Sequence, residues 1–432
     1  MTVAETFAEW ALALTAADVP AEVRDAATRH LMDGFGCALG AARTDAAPYA
    51  TALIDGIDEA TVIGSGLRAS VPRAALANGI LVHALDFDDT HAGALVHATA
   101  AVLPTAFALG ERTRASGIDV LTAAIAGYEI VARVGAAVAH GFHRRGFHAT
   151  SVCGVFASAL IASKLLGSSP QQSVSALGIA GSAAAGSLEF LETGSATKQL
   201  HPGFAAMNGF VAARLAAAGA EGPATIFEGT YGLFRAYLDV SIDPAVLTDG
   251  LGSRWETTQI TIKPYPACQL LHASLDALRA SGAIGADIDS ITFEIPSGVS
   301  SIVGDKPKPR SAYEAKFSIE HCAAVVASDG DLTIGSFDDA TIARVSDLAG
   351  RVHWTDRAFD GPPADAPGVC VVRLRDGSLL RGEVTASRGG PDAPLSHDEL
   401  LTKFVANGGT PDQAQELWLL DRPEPIERIF RA

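Results

Sequence analysis

The sequence predicts a mainly α-helical protein with an α+β insertion, and three observations support that prediction. Residues 1–254 contain one alanine-rich segment after another, with apolar residues at helical spacing. Between residues 255 and 394 the pattern changes to short strands separated by single helices. From residue 395 to residue 432 the helical pattern returns. We therefore predict a large helical domain built from both chain ends (1–254 and 395–432) and a smaller α+β domain (255–394).

The helices of the first part are predicted from apolar periodicity and from residues typical of helix ends. Pro20 suits the first turn of a helix, where its missing N–H is not needed. Small residues dominate GIAGSAAAGS and GFAAMNGFVAARLAAAGA, so we expect closely packed helices there. The predicted helices span residues 2–15, 21–39, 71–87, 101–116, 120–139, 150–166 and 170–185.

The elements of the second part are predicted from alternating apolar residues and from turn residues. A hairpin over 369–385 turns at Asp376-Gly377, a pair typical of tight hairpin turns. Two further strands are expected at 259–262 and 291–295. Helices are expected at 272–281, 313–327 and 338–348. In the last part, Ser396 suits the N-cap of a returning helix.

Composition narrows the class of protein. The 432 residues include 32 basic and 49 acidic side chains, a net charge of −17, which argues against nucleic acid as a partner. The N-terminal segment carries acids where a signal peptide carries lysine or arginine, so we expect a cytoplasmic protein. No uninterrupted apolar stretch is long enough to predict a membrane span. The five cysteines form no CxxC pair and predict neither a disulfide framework nor a cysteine zinc site.

The segment HALDFDDTHAGALVHATAAVLP, residues 83–104, concentrates more ionisable chemistry than any other. If the preceding helix continues through it, His83, Asp86 and Thr90 share one face. Asp86 and His97 stand among apolar residues, and buried ionisable groups cluster at functional sites, so we predict that both are functional.

Asp88 and Asp89 in the same segment leave two interpretations open. They belong to the site, or they cap a helix and solvate a loop, as charge runs usually do.

Three other clusters supply histidines and cations. HGFHRRGFHAT ends on His148, where a following helix N-terminus offers backbone donors to an anion; Arg145 belongs to the same run and equally fits a surface basic patch. TKQLHPG places Lys198 three residues before His201 in apolar surroundings, and we favour anion binding over a snorkelling lysine.

The fourth cluster, KPYPACQLLH, begins the α+β domain. It contains Lys263, Tyr265, Cys268 and His272, with Cys268 equally explicable as a small core residue. The chain lacks a phosphate loop, a Rossmann fingerprint, an HExxH and a GxSxG elbow. Histidines, carboxylates and cations together suit proton abstraction beside a substrate carboxylate, with the cations neutralising the developing enolate.

Six motifs in one order resemble the MmgE/PrpD superfamily over nearly the whole chain. They are HALDFDDTH, RGFHATSVCGVFASALIASKLLG, LGIAGSAAAGSLEFL, TKQLHPGFAAMNG, KPYPACQLLH and EAKFSIEHCAAVVASDG. The superfamily includes 2-methylcitrate dehydratase, cis-aconitate decarboxylase and iminodisuccinate epimerase. The resemblance implies that the α+β domain is a lid, that the protein is a homodimer, and that catalysis uses neither a metal nor an organic cofactor.

The resemblance also implies site residues. Asp86, Thr90, His97, His148 and Lys198 fall on positions that line the active site of the decarboxylase branch. The predicted substrate-binding residues are His91, Arg145, His201, Lys263, Tyr265, Cys268, His272 and Lys316. The chain departs from the decarboxylase branch at Cys268, where that branch has histidine, and in SGVSSIV, where it has a tyrosine.

These features give a ranked prediction of function. The first is a lyase that eliminates water from a small di- or tricarboxylate such as 2-methylcitrate: His97 and His148 exchange protons, Asp86 and Thr90 orient them, and Lys198 and Lys263 bind carboxylates. An epimerase of an iminodisuccinate-like acid uses the same proton abstraction, and a cis-aconitate decarboxylase ranks below it. DFDD also fits acid-initiated terpene cyclases and DDTH a magnesium site, and a non-catalytic binding protein is the most distant alternative.

Overall fold

The structure is a computed structural model, and it describes residues 1–359 and 363–431. The chain forms two compact units. The first contains residues 1–84, 88–260 and 397–431, and the second contains residues 85–87 together with the described part of 261–396. The first is built from helices and the second combines helices with a sheet, so the prediction of a mainly α fold with an α+β portion is confirmed.

The first unit is an assembly of helices with three short strand segments. Its helices, numbered in chain order through the whole protein, are α1 Val3–Ala13, α2 Ala21–Ala41, α3 Ala47–Thr51, α4 Val71–His83, α5 Ala98–Thr113, α6 Gly117–Ala136, α7 Gly141–Arg144, α8 Ala149–Leu165, α9 Pro170–Gly181, α10 Phe190–Thr193, α11 His201–Ala217, α12 Leu233–Leu238, α13 Ala245–Thr248, α19 His397–Ala406 and α20 Pro411–Trp418. Its strands are β1 Ala60–Val62, which pairs antiparallel with β2 Leu67–Ala69, and β3 Thr90–His91.

Glycines allow the central helices of this unit to approach backbone to backbone. A Cβ atom on Gly79 of α4 would lie 2.5 Å from the Cα atom of Gly203 on α11. A Cβ atom on Gly203 would lie 2.4 Å from the backbone oxygen of Leu76 on α4. Such separations are far below van der Waals contact, so the α4–α11 contact requires glycine at both positions. His83 ends α4 and His201 begins α11, so this contact fixes the spacing of two histidines.

The second unit is built around a four-stranded mixed sheet. Its strands are β5 Ile288–Pro296, β6 Val352–Arg357, β7 Gly368–Leu374 and β8 Leu379–Val384; β4 Ile260–Thr261 precedes them where the chain passes from the first unit. The sheet order is β6-β5-β7-β8, with β5 and β6 parallel and the other pairs antiparallel. Gly377 adopts a φ of +89° in the turn between β7 and β8, as the predicted hairpin requires. The helices are α14 His272–Ala280, α15 Ser300–Val303, α16 Ala312–Ala315, α17 Ile319–Asp329 and α18 Asp339–Ala349.

Two predicted helices are wrong in extent. The helix predicted over 71–87 ends at His83, and Asp86 has a φ of +52°, a left-handed conformation that no α-helix contains. His83, Asp86 and Thr90 therefore do not share a helical face. The helix predicted over 313–327 is two helices, because the chain leaves α16 after Ala315 and Ser318 caps α17 by accepting a hydrogen bond from the N–H of His321.

Among the described residues, none of the helices combines the length and the apolar composition needed to cross a bilayer.

Candidate functional site

A carboxylate held by two imidazoles forms the centre of the candidate site in the first unit. Asp88 lies in the loop after α4 and is fully buried. Its Oδ2 atom is 2.8 Å from Nδ1 of His83 and 3.4 Å from Nδ1 of His97. His83 is the last residue of α4 and His97 is the N-cap of α5. Two helix ends therefore present their histidines to one carboxylate, and the interpretation of Asp88 as a solvated loop residue is wrong.

The charge of Asp88 is stabilised by these neighbours. Burial by itself raises the pKa of the Asp88 carboxyl, but the charges and hydrogen bonds of His83 and His97 outweigh burial and hold the pKa below its usual value. An ionised carboxylate accepts hydrogen bonds, so it places the imidazole protons on the Nδ1 atoms. The Nε2 atom of His83 is buried and has no hydrogen-bond partner in the parts of the chain that the structure describes.

A second group of histidines lies beside the first. The ring centroid of His148, the N-cap of α8, is 5.5 Å from that of His83 and 6.2 Å from that of His97. Nδ1 of His148 is 3.1 Å from Nδ1 of His201, so one of these nitrogens donates and the other accepts. Burial lowers the pKa of His148 well below its usual value, and it lowers those of His201 and His143 to about 4 and about 3. These imidazoles are neutral at pH 7.

Two threonine hydroxyl groups contact the backbone and the ring of His97. The backbone N–H of His97 donates to Oγ1 of Thr150 on α8 at 3.0 Å. Oγ1 of Thr90 lies 3.5 Å from Nδ1 of His97. Thr90, His97 and His148 were predicted site residues, and the structure brings them together in one buried cluster.

The next residue, Asp89, is also fully buried but has a different set of partners. Its Oδ1 atom accepts a hydrogen bond from the backbone N–H of Thr99 at 3.0 Å, and its Oδ2 atom accepts one from the Thr99 hydroxyl. The same Oδ2 atom is 2.9 Å from Nδ1 of His30 on α2. The Thr99 hydroxyl also contacts the Tyr128 hydroxyl at 2.7 Å. Because Thr99 lies in the first turn of α5, Asp89 caps that helix directly after His97.

Lys198 is the cation of the buried cluster. It lies in a short 3₁₀ helix, Ala196–Leu200, directly before α11, and it is buried. Its positive charge contributes to lowering the pKa values of His143, His148 and His201. A buried ammonium group beside neutral imidazoles favours the binding of an anion.

Two predicted substrate-binding residues of this unit have other environments. The Arg145 side chain is exposed, which fits the alternative of a surface basic patch. His91 is buried but occupied: Nε2 is 3.1 Å from a carboxylate oxygen of Glu256, and Nδ1 accepts a hydrogen bond from the N–H of Ala94. The structure therefore gives His91 a role in joining the loop to the segment around Glu256.

The second unit contains a buried ion pair of two predicted site residues. Nζ of Lys263 is 3.2 Å from Oδ1 of Asp86 and donates to the backbone oxygen of Asp86 at 2.9 Å. Both side chains are almost completely buried. The positive φ of Asp86 allows its side chain and its carbonyl group to meet the same ammonium group.

The other predicted residues of the second unit make mainly structural contacts. Nζ of Lys316 donates to the backbone oxygens of Leu85 and Pro266, at 2.6 and 3.0 Å. The Tyr265 hydroxyl donates to Asp276 at 2.7 Å, and burial raises the pKa of Tyr265 above its usual value. Two more predicted residues contact backbone oxygens: Nε2 of His272 is 3.1 Å from the backbone oxygen of Ala267, and half-buried Cys268 donates its N–H to the backbone oxygen of Lys316.

Sequence reasoning omitted three residues from the predicted site. His83 and Asp88 were noted in the segment 83–104, yet the assumption of a continuous helix pointed Asp88 away from His83. A helix that ends at His83 reverses this expectation, since the loop brings Asp88 back to the ring. His30 gave no signal, because it stands 59 positions before Asp89 in an ordinary helical segment.

A buried carboxylate between two imidazoles, beside further neutral imidazoles and an ammonium group, defines a candidate acid–base site in a helical unit. Family models match most of the chain. The MmgE/PrpD N-terminal domain matches residues 5–243, and the MmgE/PrpD C-terminal domain matches residues 265–421. The chain belongs to the MmgE/PrpD family, as its motifs predicted.

Relatives of the chain carry the name of one activity. The chain is 30% identical to the "Cis-aconitate decarboxylase" of Aspergillus terreus (strain NIH 2624 / FGSC A1156), over 97% of this chain and 92% of that protein. It is 29% identical to the "Cis-aconitate decarboxylase-like protein oryM" of Aspergillus oryzae, over 91% and 88%. It is 32% identical to the "Cis-aconitate decarboxylase" of Homo sapiens, over 79% and 73%. These names are those of lyases, which supports the predicted enzyme class.

Proposed function

We propose that the chain is a lyase that moves a proton at the carbon beside a carboxylate of a small di- or tricarboxylate. The arrangement of His83 and His97 on Asp88, with neutral His148 beside them, is the observation that carries the proposal. A neutral imidazole accepts a proton from carbon, and an adjacent buried carboxylate stabilises the imidazolium that forms. Such acid–base contributions are typically worth about 10²–10⁴-fold in rate.

Elimination of water is the first candidate reaction, and its steps balance with these residues. An imidazole takes the proton from the carbon beside a substrate carboxylate, and the C–H electron pair becomes the new C=C bond. The imidazolium so formed returns a proton to the hydroxyl group on the neighbouring carbon, which then leaves as water. We assign this proton transfer to His97, with Asp88 stabilising charge on His97 and Thr90 orienting its ring, and we assign hydrogen bonding to the leaving group to neutral His148.

Substrate carboxylates need cations. Lys198 lies electrostatically close to His148 and His201, so we assign carboxylate binding to it. Lys263, the other lysine predicted for this role, is paired with Asp86 within the second unit. The acid 2-methylcitrate fits the proposal because it carries both the carboxylates and the hydroxyl group.

Decarboxylation is the second candidate, and the names of the relatives favour it. In that reaction an imidazolium protonates one carbon of the substrate double bond, the double bond shifts, and the C–C bond to the departing carboxylate breaks to release CO₂. The same histidines would serve as the acid. The departure at Cys268 from the decarboxylase branch keeps water elimination first.

Proton NMR in D₂O distinguishes these reactions. Purified, chelator-treated protein is incubated with 2-methylcitrate, citrate, cis-aconitate, malate and iminodisuccinate in turn. A new alkene signal from a hydroxy acid, with loss of the proton beside the carboxylate, establishes a dehydratase. New alkene signals from cis-aconitate in place of its own establish a decarboxylase, because the double bond moves to the carbon that loses CO₂. Deuterium exchange or a new diastereomer without elimination indicates an epimerase.

Matched variants tie any turnover to the buried cluster. His97→Gln and His148→Gln should abolish turnover, whereas His353→Gln should keep it, because His353 is an exposed residue of β6. Full turnover in His97→Gln and His148→Gln would reject the histidine assignment, and no reaction with any acid would reject the substrate class.

We further propose that the protein is a homodimer that uses one face of α11. Phe204, Val211 and Leu215 are each 40–47% exposed although they are large and apolar. Their spacing of seven and four residues places them on one face of the helix. An exposed apolar stripe of this kind typically marks a contact with another protein surface. Val211→Asp should convert a dimer into a monomer, as measured by light scattering after size-exclusion chromatography.

A further inference from the structure

Three histidines of the buried cluster are arranged so that a single cation could contact all of them. One ring nitrogen from each of His83, His97 and His148 lies within 4.8 Å of the others. Zinc–imidazole bonds of about 2.0–2.1 Å place the nitrogens of a tetrahedral site roughly 3.3 Å apart. An ion bound by all three rings requires their ring nitrogens to lie closer together than this 4.8 Å limit.

The hydrogen bonds around these rings match those of metal-binding histidines. In protein metal sites, the ring nitrogen opposite the metal usually donates to a carboxylate or a carbonyl group, which orients the ring. The Nδ1 atoms of His83 and His97 contact Asp88, and Nδ1 of His148 contacts His201. An ion bound by the Nε2 atoms of these rings would leave each Nδ1 atom with the partner it has here. Nε2 of His83 is buried, and throughout residues 1–359 and 363–431 no group forms a hydrogen bond with it.

Electrostatics both favours and limits a cation here. A carboxylate oxygen of Asp88 lies 2.8 Å and 3.4 Å from the Nδ1 atoms of His83 and His97, so it places negative charge next to two of the rings. Lys198 opposes the cation, because its charge acts on His148 from the same cluster.

We propose that His83, His97 and His148 bind one divalent transition-metal ion of the zinc class, and that this ion inhibits the enzyme by occupying the proton-transferring nitrogens. Imidazole ligands select zinc and cobalt over magnesium, which prefers oxygen. Three protein ligands leave a fourth position open to water or to a substrate carboxylate. The inhibition rests on the proposed function, whereas the binding site itself does not.

Cobalt titration tests the binding site without any turnover. Untagged, chelator-treated full-length protein is titrated with Co²⁺, and the visible d–d absorption typical of tetrahedral cobalt is recorded. We expect one equivalent to produce that absorption, Zn²⁺ to remove it by competition, and excess Mg²⁺ to leave it unchanged.

Variants locate the ion. His83→Gln and His148→Gln should lose the absorption, and His353→Gln should keep it, because that exposed histidine lies on β6 of the second unit. Asp88→Asn should weaken cobalt binding about 10–100-fold, since it removes the partner that orients two ligands. Lys198→Met should strengthen binding by removing the opposing charge. Thermal unfolding followed by circular dichroism identifies folded variants, and His148→Gln carries the test if His83→Gln does not fold.

The results separate this proposal from the proposed lyase. Absence of tetrahedral absorption, or absorption that persists in His83→Gln and His148→Gln, overturns the metal site. Zinc that binds at the three histidines but leaves turnover of a panel acid unchanged overturns the inhibitory role. If no panel acid reacts, the proposed lyase fails while the cobalt spectrum still decides whether the metal site exists.

Discussion

Asp88 and Asp89 are adjacent, equally buried carboxylates, yet the structure surrounds them differently. The polar neighbours of Asp88 are ring nitrogens of His83 and His97, and its Oδ1 atom has no hydrogen-bond partner among the described residues. Asp89 accepts hydrogen bonds from the backbone N–H and the hydroxyl group of Thr99, and Nδ1 of His30 lies 2.9 Å from its Oδ2 atom.

The difference between the two carboxylates separates a chemical role from a structural one. A carboxylate whose oxygens are saturated by fixed donors holds its neighbours in place. A carboxylate in contact with titratable rings changes the protonation of those rings. Burial alone would have classed Asp88 and Asp89 together, and their partners distinguish them.

The largest effect we expect comes from Asp88→Asn. An amide neither stabilises an imidazolium nor fixes the proton on Nδ1 of His97, so turnover of a reactive panel acid should fall about 10²–10⁴-fold. Steady-state kinetics measures the loss, and circular dichroism verifies the fold. A variant with unaltered kcat would show that Asp88 only fills space.

Asp89→Asn should mainly reduce stability. A buried donor that loses its acceptor costs about 1–3 kcal/mol. Asp89 accepts two hydrogen bonds from Thr99 and the asparagine oxygen can keep one of them, so the free energy of unfolding should fall by about 1–3 kcal/mol. Urea denaturation measures the change. If folded Asp89→Asn loses as much turnover as Asp88→Asn, the assignment of a chemical role to Asp88 and a structural role to Asp89 is wrong.

Two titrating groups should contribute to stability with opposite pH dependence: His143 in the histidine cluster and Asp33 near Asp89. Burial lowers the pKa of His143, in the histidine cluster, from 6.5 to about 3. The unfolded chain then binds more protons, so this stability is present above pH 6.5 and is lost as the pH falls towards 3.

Burial raises the pKa of Asp33, which is paired with Lys403, from 3.8 to about 6. Its contribution is present below pH 3.8 and is lost as the pH rises through 6.

The variant His143→Gln isolates the first of these contributions. One titrating proton changes the slope of stability with pH by at most about 1.4 kcal/mol per pH unit. Between pH 6.5 and 4 the variant should therefore lose less stability than the parent chain, as followed by urea denaturation at several pH values. Parallel curves for the two proteins would contradict the neutral state assigned to His143.

The smallest effect concerns Tyr128→Phe. This change removes one hydroxyl group from the Asp89 side, where it contacts Thr99. We expect a loss of about 0.5–1.5 kcal/mol in unfolding free energy, with turnover unchanged. Tyr128 is completely buried and its ring remains in Phe, so packing is preserved. Reduced turnover in a fully folded variant would extend the chemical role to the Asp89 side.

The sequence predicted the fold class because helical periodicity and alternating strands are local signals. It also identified the segment 83–104, since ionisable residues are rare in apolar surroundings. It did not distinguish Asp88 from Asp89, because the difference depends on His30 and on where the chain leaves α4. The end of α4 is set by the left-handed conformation of Asp86, and Asp86 is held by Lys263, 177 positions later in the chain. No local pattern encodes such a distant partner.

The glycine pair between α4 and α11 has a consequence for how this enzyme could change. Gly79 and Gly203 bring the backbones of the two helices into contact. The distance between His83 and His201 therefore depends on main-chain atoms and not on side chains that can change conformation. One added carbon at either glycine would push the helices apart and carry the histidines with them. New specificity is therefore easier to evolve or engineer at residues that line the substrate than at the helices that carry the acid–base groups.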